Sequence, residues 1–165
     1  MAVLRGEFIR AMRQLAAGVS LITTAHGGAR AGLTATAVCS VSAEPPQLLA
    51  CVNRHTEAHD LIREAGLFAV NVLASHQRPL AERFGGLVDL RGADRFDAGV
   101  WTGLATGAPI LDPCLAAFDC AVAEAVPAST HTIFIGRVEA VAVRPDLSPL
   151  LYAEGDYRLL ASWGA

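Results

Sequence analysis

Two places in this 165-residue sequence gather side chains able to hold a small, oxygen-rich ligand. The first is the run Gly32-Leu33-Thr34-Ala35-Thr36-Ala37-Val38-Cys39-Ser40-Val41-Ser42, followed by Glu44-Pro45-Pro46 and a second run from Gln47 to Val52. Side chains alternate between the faces of an extended strand, so Thr34, Thr36, Ser40 and Ser42 share one side. Leu33, Ala35, Ala37, Cys39 and Val41 share the other. Short hydroxyls on a rigid strand offer both donors and acceptors to a ligand. The second place is Asn53-Arg54-His55-Thr56, where a strand ends and a helix begins. There free backbone N–H groups, a hydroxyl and a guanidinium converge, which is a phosphate site in outline. The same residues also suit a plain structural role, with Thr56 capping its helix, Arg54 solvated and Asn53 in a turn.

His131 opens the strand His131-Thr132-Ile133-Phe134-Ile135-Gly136-Arg137-Val138 and is read either as a structural residue or as a ring that meets a ligand at a sheet edge. Gly136 would let a ligand or another backbone come close, and Arg137 suits an ion pair or a dimer contact. Phe84, Phe96, Trp101 and Tyr157 are mainly core or interface candidates. Phe84 and Phe96 flank an irregular middle segment, however, and a flat ligand could lie against one of them. His26, His55, His59 and His76 have no ligand spacing with the cysteines, so no metal site is expected. The sequence has no G-x-S-x-G elbow, no G-x-G-x-x-G after a strand and no P-loop, which removes support for a hydrolase, a Rossmann domain or a Walker-type NTPase.

These residues need a scaffold, and the hydrophobic periodicity supplies one. Phe8, Ile9, Met12, Leu15 and Ala16 fall at helical spacing between Glu7 and Ala17, with Gly18 as the expected left-handed cap. Val19 to Thr24 reads as a strand, joined by His26-Gly27-Gly28 in a tight hairpin to the hydroxylated run. Thr56 caps a helix running to Arg63 or Glu64, with Gly66 at its end. Leu67 to Leu73 is a buried strand, and His76 to Phe84 a short helix stopped by Gly85-Gly86. From Leu87 to Pro113 loops dominate, a length that tends to have a binding use. Two long strands, Leu115 to Ala125 and His131 to Val143, are separated by the turn Pro127-Ala128-Ser129-Thr130, and a tail from Tyr152 to Trp163 closes the chain. Antiparallel strands with a few short helices predict a mainly β protein, a barrel or a sandwich.

Composition narrows the function classes. The chain fits one domain, residues 1–165, large enough to bury roughly 70% of its unfolded surface. It is 53% apolar and 18% charged, with a net charge of −3. The apolar excess points to an oligomeric interface. The basic residues form no stripe, so nucleic acid is not an expected partner. Cys39, Cys51, Cys114 and Cys120 contain no C-x-x-C pair and read as reduced core residues. No basic head precedes a long apolar run at the N-terminus, and no segment is long enough to cross a bilayer, so a cytoplasmic location without membrane attachment is expected.

The chain resembles the flavin reductase family with the FMN-binding split-barrel fold, the small reductase components of two-component flavin monooxygenases. The likeness spans nearly the whole length. Its pieces are Phe8 to Met12 with Gly18-Val19, Gly32 to Ala37 with Ser40-Val41-Ser42 and Pro45-Pro46, and Phe68 to Leu73, followed by Asp94-Arg95-Phe96, Gly107-Ala108-Pro109 and His131 to Val138. The resemblance implies an antiparallel Greek-key split β-barrel that carries hydride from NADH or NADPH to FMN or FAD and passes reduced flavin to a partner monooxygenase. It places Thr34, Ala35, Thr36, Ala37, Ser40 and Val41 along the flavin ring and ribityl chain, Asn53, Arg54 and Thr56 near the phosphate, and His131 near the nicotinamide. Ala128-Ser129-Thr130 stands where the family has Gly-Asp before that histidine, while Gly155-Asp156-Tyr157 keeps the spacing of a late Gly-x-Tyr. The family also implies a homodimer. Two other readings share the barrel: a flavin-retaining oxidase and a non-catalytic flavin-binding module.

Overall fold

A computed structural model describes residues 2–161. Helix α1 (Arg5–Met12) is followed by strands β1 (Ala17–Gly18), β2 (Ser20–His26), β3 (Ala29–Ala35), β4 (Val38–Ala43) and β5 (Pro46–Asn53). Helix α2 (Glu57–Ala65), strand β6 (Leu67–Val72) and helix α3 (Arg78–Phe84) come next. They are followed by the short strands β7 (Trp101–Thr102) and β8 (Ile110–Leu111), the long strands β9 (Ala116–Ala128) and β10 (His131–Val143), and finally β11 (Leu150–Ala153) and β12 (Asp156–Leu159).

Seven strands form one antiparallel sheet in the order β3-β2-β6-β9-β10-β5-β4. Its two edge strands, β3 and β4, are consecutive in the chain and separated only by Thr36 and Ala37. That short link forces the two edges together and curls the sheet into a barrel, with the Cys51 N–H bonded to the Ala37 carbonyl across the corner at 3.0 Å. The hydroxylated run is therefore not one strand. It bends at Thr36-Ala37, and a register shift between Ser40 and Ser42 breaks its alternation again.

One core cluster fills the barrel around Ile22, Leu48, Val52, Ile62, Phe68 and Phe134. A second lies on the outer face of β2 and β6 and is roofed by α3 and the irregular middle segment, with Leu21, Leu73, Phe84, Phe96, Ile110 and Leu150 in it. Strand β6 is covered on both faces, which is why Phe68-Ala69-Val70 reads as a continuous apolar run. Buried polar groups pin the middle segment to the sheet. Asn71 donates to the Thr23 hydroxyl at 2.9 Å and accepts from the Leu111 N–H at 2.8 Å, and the Thr23 hydroxyl donates to the Pro109 carbonyl. The Asp119 carboxylate, fully buried, takes the N–H groups of Ala105 and Thr106 at 2.7 Å each.

Local chemistry explains most boundaries. Gly27 and Gly28 both have positive φ, 56° and 84°, as a two-residue hairpin turn between β2 and β3 requires. Gly66 ends α2 in the left-handed conformation at φ 68°. Other expectations are corrected. Helix α1 ends at Met12, none of its residues is buried, and Gly18 belongs to β1 rather than to a helix cap. Pro127 lies inside β9 opposite Thr132, and the hairpin turns on Ser129 and Thr130 alone, with Ser129 at φ 53°. The close approach at Gly136 comes from the core side chains Phe68 and Cys120, since an added Cβ would lie 2.7 Å from Phe68 Cζ. Arg137 is exposed and paired with Glu139 at 2.7 Å. All four cysteines are free; Cys114 and Cys120 are buried, while Cys39 is exposed rather than in the core. Trp163, in the expected C-terminal tail, lies outside the described residues.

Candidate functional site

The last residues of β3 form one wall of a cleft, a space of about 450 Å³. Thr34, Ala35 and Thr36 line it together with Arg78 and Glu82 of α3, Gly85, Leu87, Tyr152 of β11, and Asp156 and Tyr157 of β12. The Thr34 hydroxyl donates to the Ala81 carbonyl of α3 at 2.7 Å, so its proton is committed and only its lone pairs face the cleft. Thr36, exposed at the barrel corner, keeps its hydroxyl for solvent or a ligand. The opposite wall is aromatic and charged. The Tyr152 and Tyr157 rings meet edge to face at 5.5 Å, the Arg78 guanidinium sits 5.1 Å over the Tyr157 ring, and Arg78 Nε bonds Glu82 at 2.7 Å. Partial burial, reinforced by Glu82, raises the Tyr157 phenol above its ordinary pKa and keeps it a neutral donor. The Tyr157 backbone N–H, bonded to Asp156, lowers the pKa of that carboxylate and keeps it ionised.

A second, smaller hollow of about 270 Å³ lies at the start of α2. Thr56 caps the helix by accepting the His59 N–H at 3.3 Å, and its own hydroxyl donates to the Asn53 carbonyl at 2.8 Å. Asn53 Oδ1 in turn accepts the His55 N–H. The structural role expected of these residues is thus present, yet the same turn leaves Thr56 and His55 on the wall of the hollow beside Arg91 and Arg95. Arg95 is half-buried and donates to the carbonyls of Leu90, Gly32 and Phe84. Its positive charge therefore stands at a helix N-terminus with no carboxylate among those partners. Glu57 partly offsets it by accepting the Gly92 N–H at 3.1 Å.

His131 pairs with Asn53 across β10 and β5, and its Nδ1 lies 2.8 Å from the Thr130 hydroxyl. Arg54 is exposed beside it, its backbone N–H bonded to the Thr130 carbonyl and its guanidinium near the Ser129 carbonyl. Asn53, Arg54, Thr56 and His131 are thus brought together at one end of the β5–β10 pair, while Thr34, Ala35, Thr36 and Tyr157 are gathered in the cleft. Between the two groups lies the corner, where the Cys51 N–H bonds to the Ala37 carbonyl two residues before Asn53.

The remaining expectations divide. Ala37, Ser40 and Val41 are exposed on the corner and on edge strand β4, and they do not line the cleft. Phe84 and Phe96 are corrected outright. They are 1% and 3% exposed, pack edge to face at 5.1 Å and share contacts with Trp101, so neither offers a face to a ligand. Phe84 also fills the space that a side chain at Gly32 would need, since a Cβ there would lie 2.9 Å from Phe84 Cε1. Sequence reasoning missed Arg78, Glu82, Tyr152, Arg91 and Arg95. Only Arg95 carried a signal, inside Asp94-Arg95-Phe96. The others depend on where α3 and the β11–β12 hairpin dock.

A curled antiparallel barrel with a cleft at its closing corner defines a small-molecule-binding β protein, and comparison with known proteins makes the class specific. The chain belongs to the flavin reductase-like family, whose domain, described as "Flavin reductase like domain", matches residues 12–161. It is 42% identical over 160 residues to FMN reductase (NADH) RutF of Stutzerimonas stutzeri strain A1501, covering 97% of this chain and 91% of that one. Among solved structures, the flavin reductase PheA2 in its native state superposes with a TM-score of 0.89 at 32% identity, covering 97% of this chain and 100% of that one. BorF, the flavin reductase component of a bacterial two-component tryptophan halogenase, gives 0.87 at 31% identity over 96% and 99% of the two chains. The barrel is thus the split barrel of these reductases.

Proposed function

We propose that this chain reduces free FMN at the expense of NADH and releases the reduced flavin to a separate oxygenase or halogenase component. The observation that carries the reading is the cleft at the β3–β4 corner, where Thr36, the lone pairs of Thr34 and the Tyr157 phenol converge in a reductase barrel. Hydride transfer between nicotinamide and flavin is the chemistry of those two molecules. The chain supplies stacking distance, alignment and hydrogen bonds, and it has no need of a nucleophile or a strong acid.

In this reading Thr34, Ala35 and Thr36 bind the ring and ribityl portion, while Thr56 and the α2 N-terminus receive the phosphate with Arg91 and Arg95 beside them. His131 meets the nicotinamide. A donor set of short hydroxyls, backbone N–H groups and arginines fits a flavin mononucleotide, whose groups are mostly acceptors and one phosphate dianion. A homodimer would cover apolar surface that the single chain leaves open, notably Phe8 and Leu15, which are 59% and 62% exposed. No helix among the described residues is long and apolar enough to cross a membrane.

Steady-state oxidation of NADH and NADPH with added FMN, FAD or riboflavin tests the reading. NADH oxidation dependent on FMN, with flavin lost during gel filtration, is expected. Flavin retained through gel filtration without NAD(P)H turnover would instead identify a binding module and overturn the proposal.

A further inference from the structure

One buried titratable side chain has no place in the reading above. His59, 3% exposed in the first turn of α2, points its ring into the barrel core, where Phe134 packs on it at a centroid distance of 5.7 Å. Its Nδ1 lies 2.8 Å from Asp60 Oδ1, and its Nε2 lies 2.9 Å from the buried Thr132 hydroxyl. A carboxylate can only accept, so Nδ1 carries the proton. In the neutral ring Nε2 is then left to accept from Thr132. An apolar residue would fill this space at lower cost, because a buried polar ring must be fully paired to be tolerated.

The bonds around His59 close a circuit. Its backbone N–H is accepted by the Thr56 hydroxyl, which donates to the Asn53 carbonyl. Asn53 pairs with His131 across the sheet, and His131 is bonded in sequence to Thr132, whose hydroxyl returns to the His59 ring. Every link but the last is backbone or local capping. Among the described residues the His59–Thr132 bond is the one side-chain hydrogen bond between the helix and strand β10, reinforcing the packing of Phe134 on the same ring. We infer that His59 is a positioning residue, a brace that sets the distance between the flavin-phosphate junction at Thr56 and the nicotinamide-facing His131. The inference rests on the proposed roles of those two residues.

A brace of this kind has a distinct kinetic signature. Each ligand keeps its own contacts when the brace is cut, so binding changes little. The two reacting rings lose their mutual alignment, to which hydride transfer is steeply sensitive. His59→Phe keeps the ring packing on Phe134 and removes both hydrogen bonds, Thr132→Val removes only the partner hydroxyl, and Thr132→Ser restores it.

The test is anaerobic stopped-flow reduction of FMN by saturating NADH, with FMN affinity measured by fluorescence and folding by thermal melting monitored by circular dichroism. His59→Phe and Thr132→Val should each slow the saturating reduction rate by about tenfold, with FMN affinity changed less than about threefold. The double variant should fall no further than the slower single one, as expected for two residues acting through one bond. Thr132→Ser should recover the rate. Losses that multiply in the double variant, or a lowered melting temperature with an unchanged reduction rate, would show His59 to be ordinary core and overturn the brace. Thr132→Val is informative even if His59→Phe fails to fold. Because the brace acts on alignment with His131, Thr132→Val should add less than about twofold in a His131→Ala background. A full additional loss there would also overturn it. An unchanged reduction rate and NADH KM in His131→Ala alone would instead remove the assignment of His131.

Discussion

Replacing Thr34 and Thr36 separately by valine distinguishes a strand that binds flavin from one that merely holds the barrel together. Valine is nearly isosteric with threonine, so each change deletes a hydroxyl. The Thr34 hydroxyl donates to the Ala81 carbonyl at 2.7 Å, and that carbonyl also receives the Gly85 N–H at 2.9 Å. Deleting the hydroxyl therefore leaves the carbonyl with one partner, and the loss is that of an ordinary hydrogen bond, about 1 kcal/mol. In a domain of this size that lowers the melting temperature by roughly 2–4 °C. Thr36, exposed at the corner, should alter stability by less than about 0.5 kcal/mol when changed. In the proposed site its hydroxyl would supply one neutral hydrogen bond to the flavin, so Thr36→Val should raise the FMN Kd about fivefold, the equivalent of about 1 kcal/mol. Thr34 offers the ligand only its lone pairs, and Thr34→Val should weaken binding by less. Calorimetry and quenching of FMN fluorescence read the two effects independently. An unchanged FMN Kd in Thr36→Val would refute the placement of flavin along this strand, and an unchanged melting temperature in Thr34→Val would refute the structural bond.

Four further outcomes follow from the geometry. Thr56→Ala should cost about 1 kcal/mol of stability through the lost helix cap and weaken FMN binding more than riboflavin binding, since only FMN carries the phosphate; equal weakening would move the phosphate elsewhere. Gly136→Ala should lower the urea midpoint by the equivalent of about 1–3 kcal/mol, because the new methyl meets Phe68 Cζ at 2.7 Å and Cys120 Cβ at 2.8 Å in a filled core. Burial pushes the Cys114 and Cys120 thiols up to about 11 and about 12, from an ordinary value of 9.0. Above pH 9 the unfolded chain therefore holds fewer protons than the folded one, and stability falls as pH rises from 9 through 11 to 12. A thiol-reactive dye at pH 8 should label exposed Cys39 in the native protein and reach Cys114 and Cys120 only after unfolding; prompt labelling of either buried thiol would contradict the packing.

The local signals were strong where one residue decides one bond. Thr56 and Gly66 mark the two ends of α2 because a cap hydroxyl and a left-handed glycine are chemical requirements of a helix terminus. Gly27-Gly28 marks the first hairpin for the same kind of reason. Phe84 and Phe96 misled because aromatic residues beside a loop look alike whether they face solvent or core, and only the docking of the 92–97 segment on α3 hid them. Gly18 misled because a glycine after a helical stretch resembles a cap even when the helix has already ended at Met12.

The sequence by itself determined helix α2 with its Thr56 cap, the first hairpin, the central strand β6 and, through the ordered motifs, the family. Those depend on near neighbours in the chain and on residue types. Tertiary structure alone decided that Gly32 to Ser42 bends at Thr36-Ala37 to join the two edges of the sheet. It alone also brought Arg78 and Tyr157 from distant segments to face Thr34, and set His59 against Thr132, 73 residues away. Contacts of that span are chosen by which surfaces bury well together, and no local pattern records the partner on the other side.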